Sequence, residues 1–256
     1  IALEADLYAA AGVETGDVWR TVRVVDRTHQ SADTVSFTLA SSEGSVLPTF
    51  RPGQYLSVGV RLPDGARQIR QYSLSNAPSK GDWRITVKRV LPVTGADGTT
   101  HPAGEVSNFL FDNVFEGDNL DVTTPFGDLV LPEDDKPIFL ASAGIGCTPM
   151  IGMLDHLAES GDARRISILH ADRSPASHAH RRELETLVER IPSADVYRWY
   201  EDLGARQPLE TMRVGRADIS DLPLDPTTRA FLCGPLPFML SLRQALIARN
   251  VPAENI

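Results

Sequence analysis

The sequence predicts an antiparallel β-barrel followed by an α/β doubly wound parallel sheet, and three observations carry that reading. Between Asp17 and Leu131 short alternating segments recur between Pro and Gly, the pattern of half-buried antiparallel strands. After the polar stretch PEDDKP, Pro132–Pro137, strands alternate with helical segments, which requires parallel pairing. A chain of 256 residues has room for two such units. The predicted division is 1–16, 17–132 and 133–256.

The first dozen residues, IALEADLYAAAG, set Leu3, Leu7 and Ala11 at helical spacing and stop at Gly12, so they read as the last turns of a helix. In the barrel region Val35, Phe37 and Leu39 alternate, as do Leu56, Val58 and Val60, and Ile85 and Val87. Leu91–Ala103 reads as a flexible insertion. A short helix is expected after Gly104, with Val106, Leu110 and Val114 on one side. Beyond the linker, strands are expected at Ile138–Ala141, Arg165–Ala171, Asp195–Tyr200 and Arg229–Cys233. Helices are expected at Thr148–Ser160, His178–Ile191 and Pro237–Arg249, with Gly161 stopping the first.

Composition narrows the function. The chain is 42% hydrophobic and 23% charged, as in soluble globular proteins, and no apolar run approaches the roughly 20 residues that cross a bilayer. A net charge of −9 argues against nucleic acid and anionic membranes as partners. Two distant cysteines, Cys147 and Cys233, and no signal segment favour a reducing, cytoplasmic setting. Opening on Ile1 rather than Met, the chain is expected to lack upstream sequence.

Four motifs carry chemistry. The first is RQYS, Arg70–Ser73, preceded by PGQY. On a strand Arg70 and Tyr72 share a face, so a guanidinium that grips phosphate stands beside a ring that stacks. Ser73 joins them only if the strand ends or bulges there. The bland reading is an exposed Arg beside a half-buried Tyr. The second is GEVSN, Gly104–Asn108, whose helix start offers a pyrophosphate seat; Ser107 reads equally as a plain helix cap. The third is SAGIGCTPM, Ser142–Met150, a glycine turn from strand to helix that lets backbone approach a phosphate, though Pro149 stands where a third glycine is usual. A simple turn is the alternative. The fourth is CGPLPFM, Cys233–Met239, at the ligand-binding edge of a parallel sheet, where a thiol fits against a flat ring or is simply buried.

In this order the four motifs resemble the ferredoxin-reductase-like superfamily, and within it the reductase half of flavohaemoglobins, the bacterial and fungal nitric oxide dioxygenases. FRPGQYLSV, RQYSLS, ITVKR, GEVSNFL, ASAGIGCTPMIGML, LHADRS, RWY and LCGPLPFM carry the resemblance over nearly the whole chain, and EADLY resembles the end of the last globin helix. The resemblance implies an FAD-binding barrel and an NAD(P)-binding α/β unit. It places FAD against Tyr55, Arg70, Gln71, Tyr72, Ser73, Lys88, Gly104, Val106 and Ser107, with Tyr72 on the isoalloxazine and Ser73 near its reactive N5. The nucleotide turn falls on Gly144, Ile145, Gly146, Cys147, Thr148 and Pro149. Cys233, Gly234 and Pro235 border the nicotinamide, with Tyr72, Ser73 and Cys233 nearest the reacting atoms.

Outside these motifs, His170 ends a parallel strand and admits a nucleotide contact or a packing role. Arg173 suits a 2′-phosphate and Asp172 opposes one. His178 and His180 read as a solvated helix terminus rather than metal ligands, and no metal is expected. The resemblance implies hydride transfer from NAD(P)H to FAD and single-electron transfer to a haem globin, fused or separate, outside this chain. Two alternatives stand: a reductase component feeding an iron–sulfur protein or oxygenase, and a flavin-binding redox sensor without turnover. The family's C-terminal segment, which carries an aromatic residue beside the flavin, would begin where this chain ends, so truncation is expected.

Overall fold

The computed structural model describes residues 19–95, 97–205 and 211–256; the helix expected over the first dozen residues lies outside them. In the first unit the strands are β1 (Trp19–Ser31), β2 (Thr34–Ser41), β3 (Tyr55–Arg61), β4 (Arg67–Ser73) and β5 (Trp83–Lys88). They are followed by a short hairpin, β6 (Val93–Thr94) with β7 (Thr100–His101), helix α1 (Glu105–Asn113) and β8 (Asn119–Thr123). Six strands form one antiparallel sheet in the order β4-β3-β8-β1-β2-β5. Its two ends meet, because Leu74 bridges Ile85 and the Ser75 N–H donates to the Arg84 carbonyl at 2.8 Å, which closes the sheet into a barrel. The alternating residues fill its interior: Val35, Phe37, Leu39, Leu56, Val58, Ile85 and Val87 are all buried. Helix α1 closes one side with Val106 and Leu110, joined by Val114 just past its end, each such burial contributing roughly 1.5–3 kcal/mol.

Within the expected insertion, Leu91–Ala103, Val93 pairs with His101 and Thr94 with Thr100, so it carries a short hairpin. Gly98 takes φ +80°, and the Asp97 carboxylate accepts the Thr99 N–H at 3.0 Å. Local turn chemistry folds it without a buried face, so no hydrophobic pattern announced it.

The second unit runs β9 (Ile138–Ala143), α2 (Cys147–Ser160), β10 (Ile166–Asp172), α3 (Arg181–Arg190), β11 (Ala194–Tyr200), β12 (Met212–Val214), β13 (Arg229–Cys233) and α4 (Leu236–Ala248). The sheet is parallel throughout, in the order β12-β11-β10-β9-β13. Leu154, Leu157, Leu184 and Leu187 pack on one face; Leu222, Leu242 and Leu246 pack on the other. That is a doubly wound sheet whose strand order reverses at β9, where such folds bind ligands. Helix α3 begins at Arg181 rather than at His178, because His180 adopts a left-handed φ of +58° that interrupts the turn before it. Strand β12, three residues with only Met212 buried, carries no periodicity to read. The linker is anchored: Asp134 pairs with Arg229 at 3.0 Å.

The two units touch closely. A Cβ on Gly152 of α2 would meet the Leu74 carbonyl oxygen at 2.6 Å. One turn along, the buried Asp155 carboxylate accepts the Ala77 N–H at 2.9 Å and pairs with Lys80 at 2.5 Å. Among the described residues no helix is long and apolar enough to cross a membrane.

Candidate functional site

A cavity of about 590 Å³ opens between the barrel and the parallel sheet, within the roughly 300–1,000 Å³ usual for ligand sites. From the barrel it is lined by Arg70, Gln71, Tyr72 and Ser73 of β4, Thr86 and Lys88 of β5, and Gly104, Val106 and Ser107 at the start of α1. From the sheet it is lined by Gly144, Ile145, Gly146 and Thr148 at the β9–α2 turn, and by Cys233, Gly234 and Pro235 after β13. Four consecutive residues of β4, from Arg70 to its last residue Ser73, line the cavity, so Ser73 shares it with Tyr72 although the two alternate along the strand.

Two helices begin at the cavity without side-chain caps. Gly104 precedes α1 and Gly146 precedes α2, and neither first turn has its N–H groups met by a capping side chain. Such helix starts carry partial positive charge, which suits phosphates, although at α2 the Cys147 N–H already meets the Gly144 and Ile145 carbonyls and Pro149 has no N–H. At Gly144, with φ +54°, an added Cβ would meet no atom within 4 Å, so the turn shows bare backbone to open space. Arg70 adds a charge of the right sign. Its guanidinium donates only to the Ile69 carbonyl at 2.7 Å and to Gln68 Oε1 at 3.3 Å, and it has no carboxylate partner among the described residues. Beside it Tyr72 is largely buried, and burial pushes its phenol up to about 12, so it stays neutral. The half-buried Cys233 thiol is likewise pushed up by burial and stays protonated.

A second cavity of about 460 Å³ shares Lys88, Ala143, Gly144 and Pro235 with the first. It extends over the C-terminal ends of β10 and β11, past Asp172, Arg173, Glu201 and Arg216. Together the two cavities run past two glycine turns at helix starts, a setting suited to the phosphates of an FAD and a nicotinamide dinucleotide.

Four expected contacts lie off the groove. Tyr55 leans on Phe126, with ring centroids 4.4 Å apart, and its hydroxyl accepts from Gln71 Nε2 at 3.4 Å, so it stands behind a lining residue. Cys147 turns its sulfur to the Ala179 carbonyl at 3.8 Å inside the protein. Pro149 is buried in the first turn of α2. His170 is buried as well: its Nδ1 lies 2.9 Å from Ser142 Oγ and its ring stacks on His178 at 3.7 Å. Ala171 and Asp172 of β10 reach the second cavity, and His170 does not. His178 and His180 are buried too, not solvated. The sequence reading missed Thr86, Val90, Glu105 and Ala143 in the first cavity, and Glu201 and Arg216 in the second. Glu201 directly follows a parallel strand, a position the strand-end rule for ligands would have flagged.

Comparison with known proteins follows the same division. A family described as Oxidoreductase FAD-binding domain matches residues 21–130, and one described as Oxidoreductase NAD-binding domain matches residues 140–244. The chain is 41% identical over 266 residues to a flavohemoprotein of Bordetella pertussis, all of this chain aligning with 64% of the relative's length. A crystal structure of the flavohem-like FAD/NAD-binding domain of nitric oxide dioxygenase from Vibrio cholerae superposes with a TM-score of 0.82 at 32% identity, over 93% of this chain and 96% of that one. Flavohemoglobin from Malassezia yamatoensis, solved with bound FAD and heme, superposes with a TM-score of 0.79 at 28% identity, over 100% of this chain and 63% of that one. The chain therefore spans just under two thirds of these longer relatives. With a flavin-sized cavity facing a nucleotide turn, and with both domain families matched in order, the chain belongs to the flavohaemoprotein family as its FAD- and NAD-binding oxidoreductase part.

Proposed function

We propose that the chain passes electrons from NAD(P)H through FAD to the haem of a globin outside it, the whole protein acting in the cytoplasm as a nitric oxide dioxygenase. The observation that carries this reading is the convergence of Arg70, Tyr72 and two uncapped helix starts on one cavity. The relatives named above, whose descriptions include heme and nitric oxide dioxygenase, support the choice of acceptor and reaction.

In this reading residues 17–132 hold the flavin and residues 133–256 hold the nicotinamide dinucleotide. Arg70 and the start of α1, with Gly104, Val106 and Ser107, bind the flavin's pyrophosphate by charge-assisted hydrogen bonds. Tyr72 offers its face to the flavin ring, while Gln71, Ser73 and Lys88 supply polar contacts at its edge. Gly144–Thr148 seats the dinucleotide phosphates, and Cys233, Gly234 and Pro235 keep a small, neutral wall beside the nicotinamide. When bound, the two cofactors supply hydride transfer and its conversion into single electrons, and the protein's contribution is to align the rings and exclude water.

The test is direct. Purified chain supplied with FAD should turn yellow, and anaerobic NADH or NADPH should bleach it; addition of a ferric flavohaemoglobin globin domain should restore the colour as haem is reduced. A colourless protein that takes up no flavin would overturn the reading.

A further inference from the structure

Asp33 lies on the turn between β1 and β2 of the barrel, yet its carboxylate reaches the other unit. Its Oδ2 is 3.5 Å from the Arg173 guanidinium and 3.7 Å from Lys88 Nζ of β5. Both cations line the second cavity. The carboxylate is fixed from its own side, because the Ser31 and Thr34 hydroxyls donate to Oδ1 at 2.7 and 3.0 Å. Burial pushes the Asp33 carboxyl up, but these hydroxyls and the two cations outweigh it and hold the group below its ordinary value. At neutral pH it is an anion held in place.

Arg173 stands at a position that decides between two dinucleotides. It directly follows β10, the strand beside β9 and its glycine turn. In a doubly wound sheet that strand end meets the adenosine ribose, where an arginine accommodates a 2′-phosphate and an acid accepts the ribose hydroxyls. Here the arginine is tethered to a barrel carboxylate. The pair itself is weak, since the Arg173 side chain is 66% exposed. The anion does not move aside, so a phosphate that approaches Arg173 also approaches Asp33.

The surrounding charges leave nothing to compensate. Burial pushes the Asp172 carboxyl up, and the contacts from His170 and Ser177 bring it below its ordinary value, so it is ionised as well. Glu201 borders the same cavity. Asp33, Asp172 and Glu201 therefore stand against Lys88, Arg173 and Arg216, three charges of each sign. The pyrophosphate common to NADH and NADPH already draws on these cations. A 2′-phosphate adds nearly two further negative charges at neutral pH, roughly −1.5 to −2, and a ribose hydroxyl adds none.

We propose that Asp33 makes the chain select NADH over NADPH, by keeping Arg173 of the neighbouring unit from serving as a 2′-phosphate ligand. This rests on the reading of the chain as an NAD(P)H-dependent flavin reductase. The selecting residue belongs to the flavin-binding barrel, and it acts across the contact between the units.

The test uses the full chain with FAD, ferricyanide as a single-electron acceptor, and kcat/KM measured for NADH and for NADPH. The unaltered chain should favour NADH by about tenfold or more. D33N keeps the side-chain shape and removes its charge. It should raise kcat/KM for NADPH about tenfold, chiefly through KM, and leave that for NADH within about threefold. D33S, smaller and also uncharged, should shift the ratio in the same direction. D33N/R173A should lose the gain, because the freed arginine carries it. Raising the salt concentration should shrink the difference between D33N and the unaltered chain. Equal gains for both dinucleotides, an unchanged ratio in D33N and D33S, a gain that survives in D33N/R173A, or an unaltered chain that prefers NADPH would each overturn the proposal while leaving the flavin reading intact. Failure of both dinucleotides to reduce the flavin of the unaltered chain would overturn both.

Discussion

Gly146 lies flat against the carbonyl of Cys233: a methyl group built on Gly146 would meet that oxygen at 2.4 Å and the Gly234 nitrogen at 2.8 Å. The two turns that face the barrel, one after β9 and one after β13, are thus in backbone contact. No side chain separates them, and a change in one displaces the other.

The first prediction concerns that contact. Gly146→Ala has to push the Cys233–Pro235 turn aside, at a cost of about 1–3 kcal/mol in stability. Thermal unfolding should register the loss. Steady-state kinetics should show a raised KM for NAD(P)H, while FAD affinity should be little changed, because the flavin's own contacts lie across the cavity.

Arg70 is the subject of the second. An exposed guanidinium with only local backbone and amide contacts contributes little to the fold but much to a bound phosphate. Arg70→Ala should leave the unfolding temperature nearly unchanged and weaken FAD binding at least about tenfold, as expected for loss of a charged hydrogen bond worth roughly 1.5–3 kcal/mol. Flavin fluorescence titration measures both the loss and its expected dependence on salt.

Buried histidines set the third. His170, His178 and His180 are all held below the ordinary imidazole value, in each case first by burial. An unfolded chain titrates these groups near 6.5, so below that pH it binds more protons than the folded one. Stability is therefore full above about 6.5 and falls as the pH drops, by about 1.4 kcal/mol per pH unit for each histidine that stays neutral in the fold. His178→Phe removes one of the three and the 2.7 Å contact to the Tyr200 hydroxyl. Denaturant unfolding between pH 6.5 and 5 should show a lower starting stability and a slope shallower by about that amount; a parallel slope would contradict the account.

The two cysteines differ sharply. Cys147 is enclosed, and burial pushes its thiol up to about 12, whereas the half-buried Cys233 borders the cavity. Iodoacetamide should modify Cys233 slowly and Cys147 not at all in the folded chain. FAD together with NAD⁺ should slow the reaction of Cys233 further, and mass spectrometry of the labelled peptides would show it.

Much of this was legible from the residues. Val35, Phe37 and Leu39 alternate in the sequence and are fully buried in the barrel, because a half-buried strand has a period of two and nothing else competes with it. RQYS and the glycine turn at Gly144 were visible as motifs because phosphate and ring binding call for unusual residue types at fixed spacings. Side-chain direction at strand ends was less accessible. His170 and Asp172 share one face of β10 in ideal alternation, yet His170 is enclosed while Asp172 and Ala171 border the second cavity. Likewise the left-handed turn at His180, which delays α3 and aims an imidazole at Thr86, depends on a contact between residues 94 positions apart and leaves no local trace.

The central claim is that two flat rings meet in the cavity between Tyr72 and Cys233. A crystal structure of the chain with FAD and a non-reducing NADH analogue measures this directly. The account predicts the flavin against Tyr72 and Ser73, with the nicotinamide stacked on it beside Gly144 and Cys233. A flavin bound elsewhere on the barrel, or a nicotinamide held away from it by the Gly144–Pro149 turn, would contradict it.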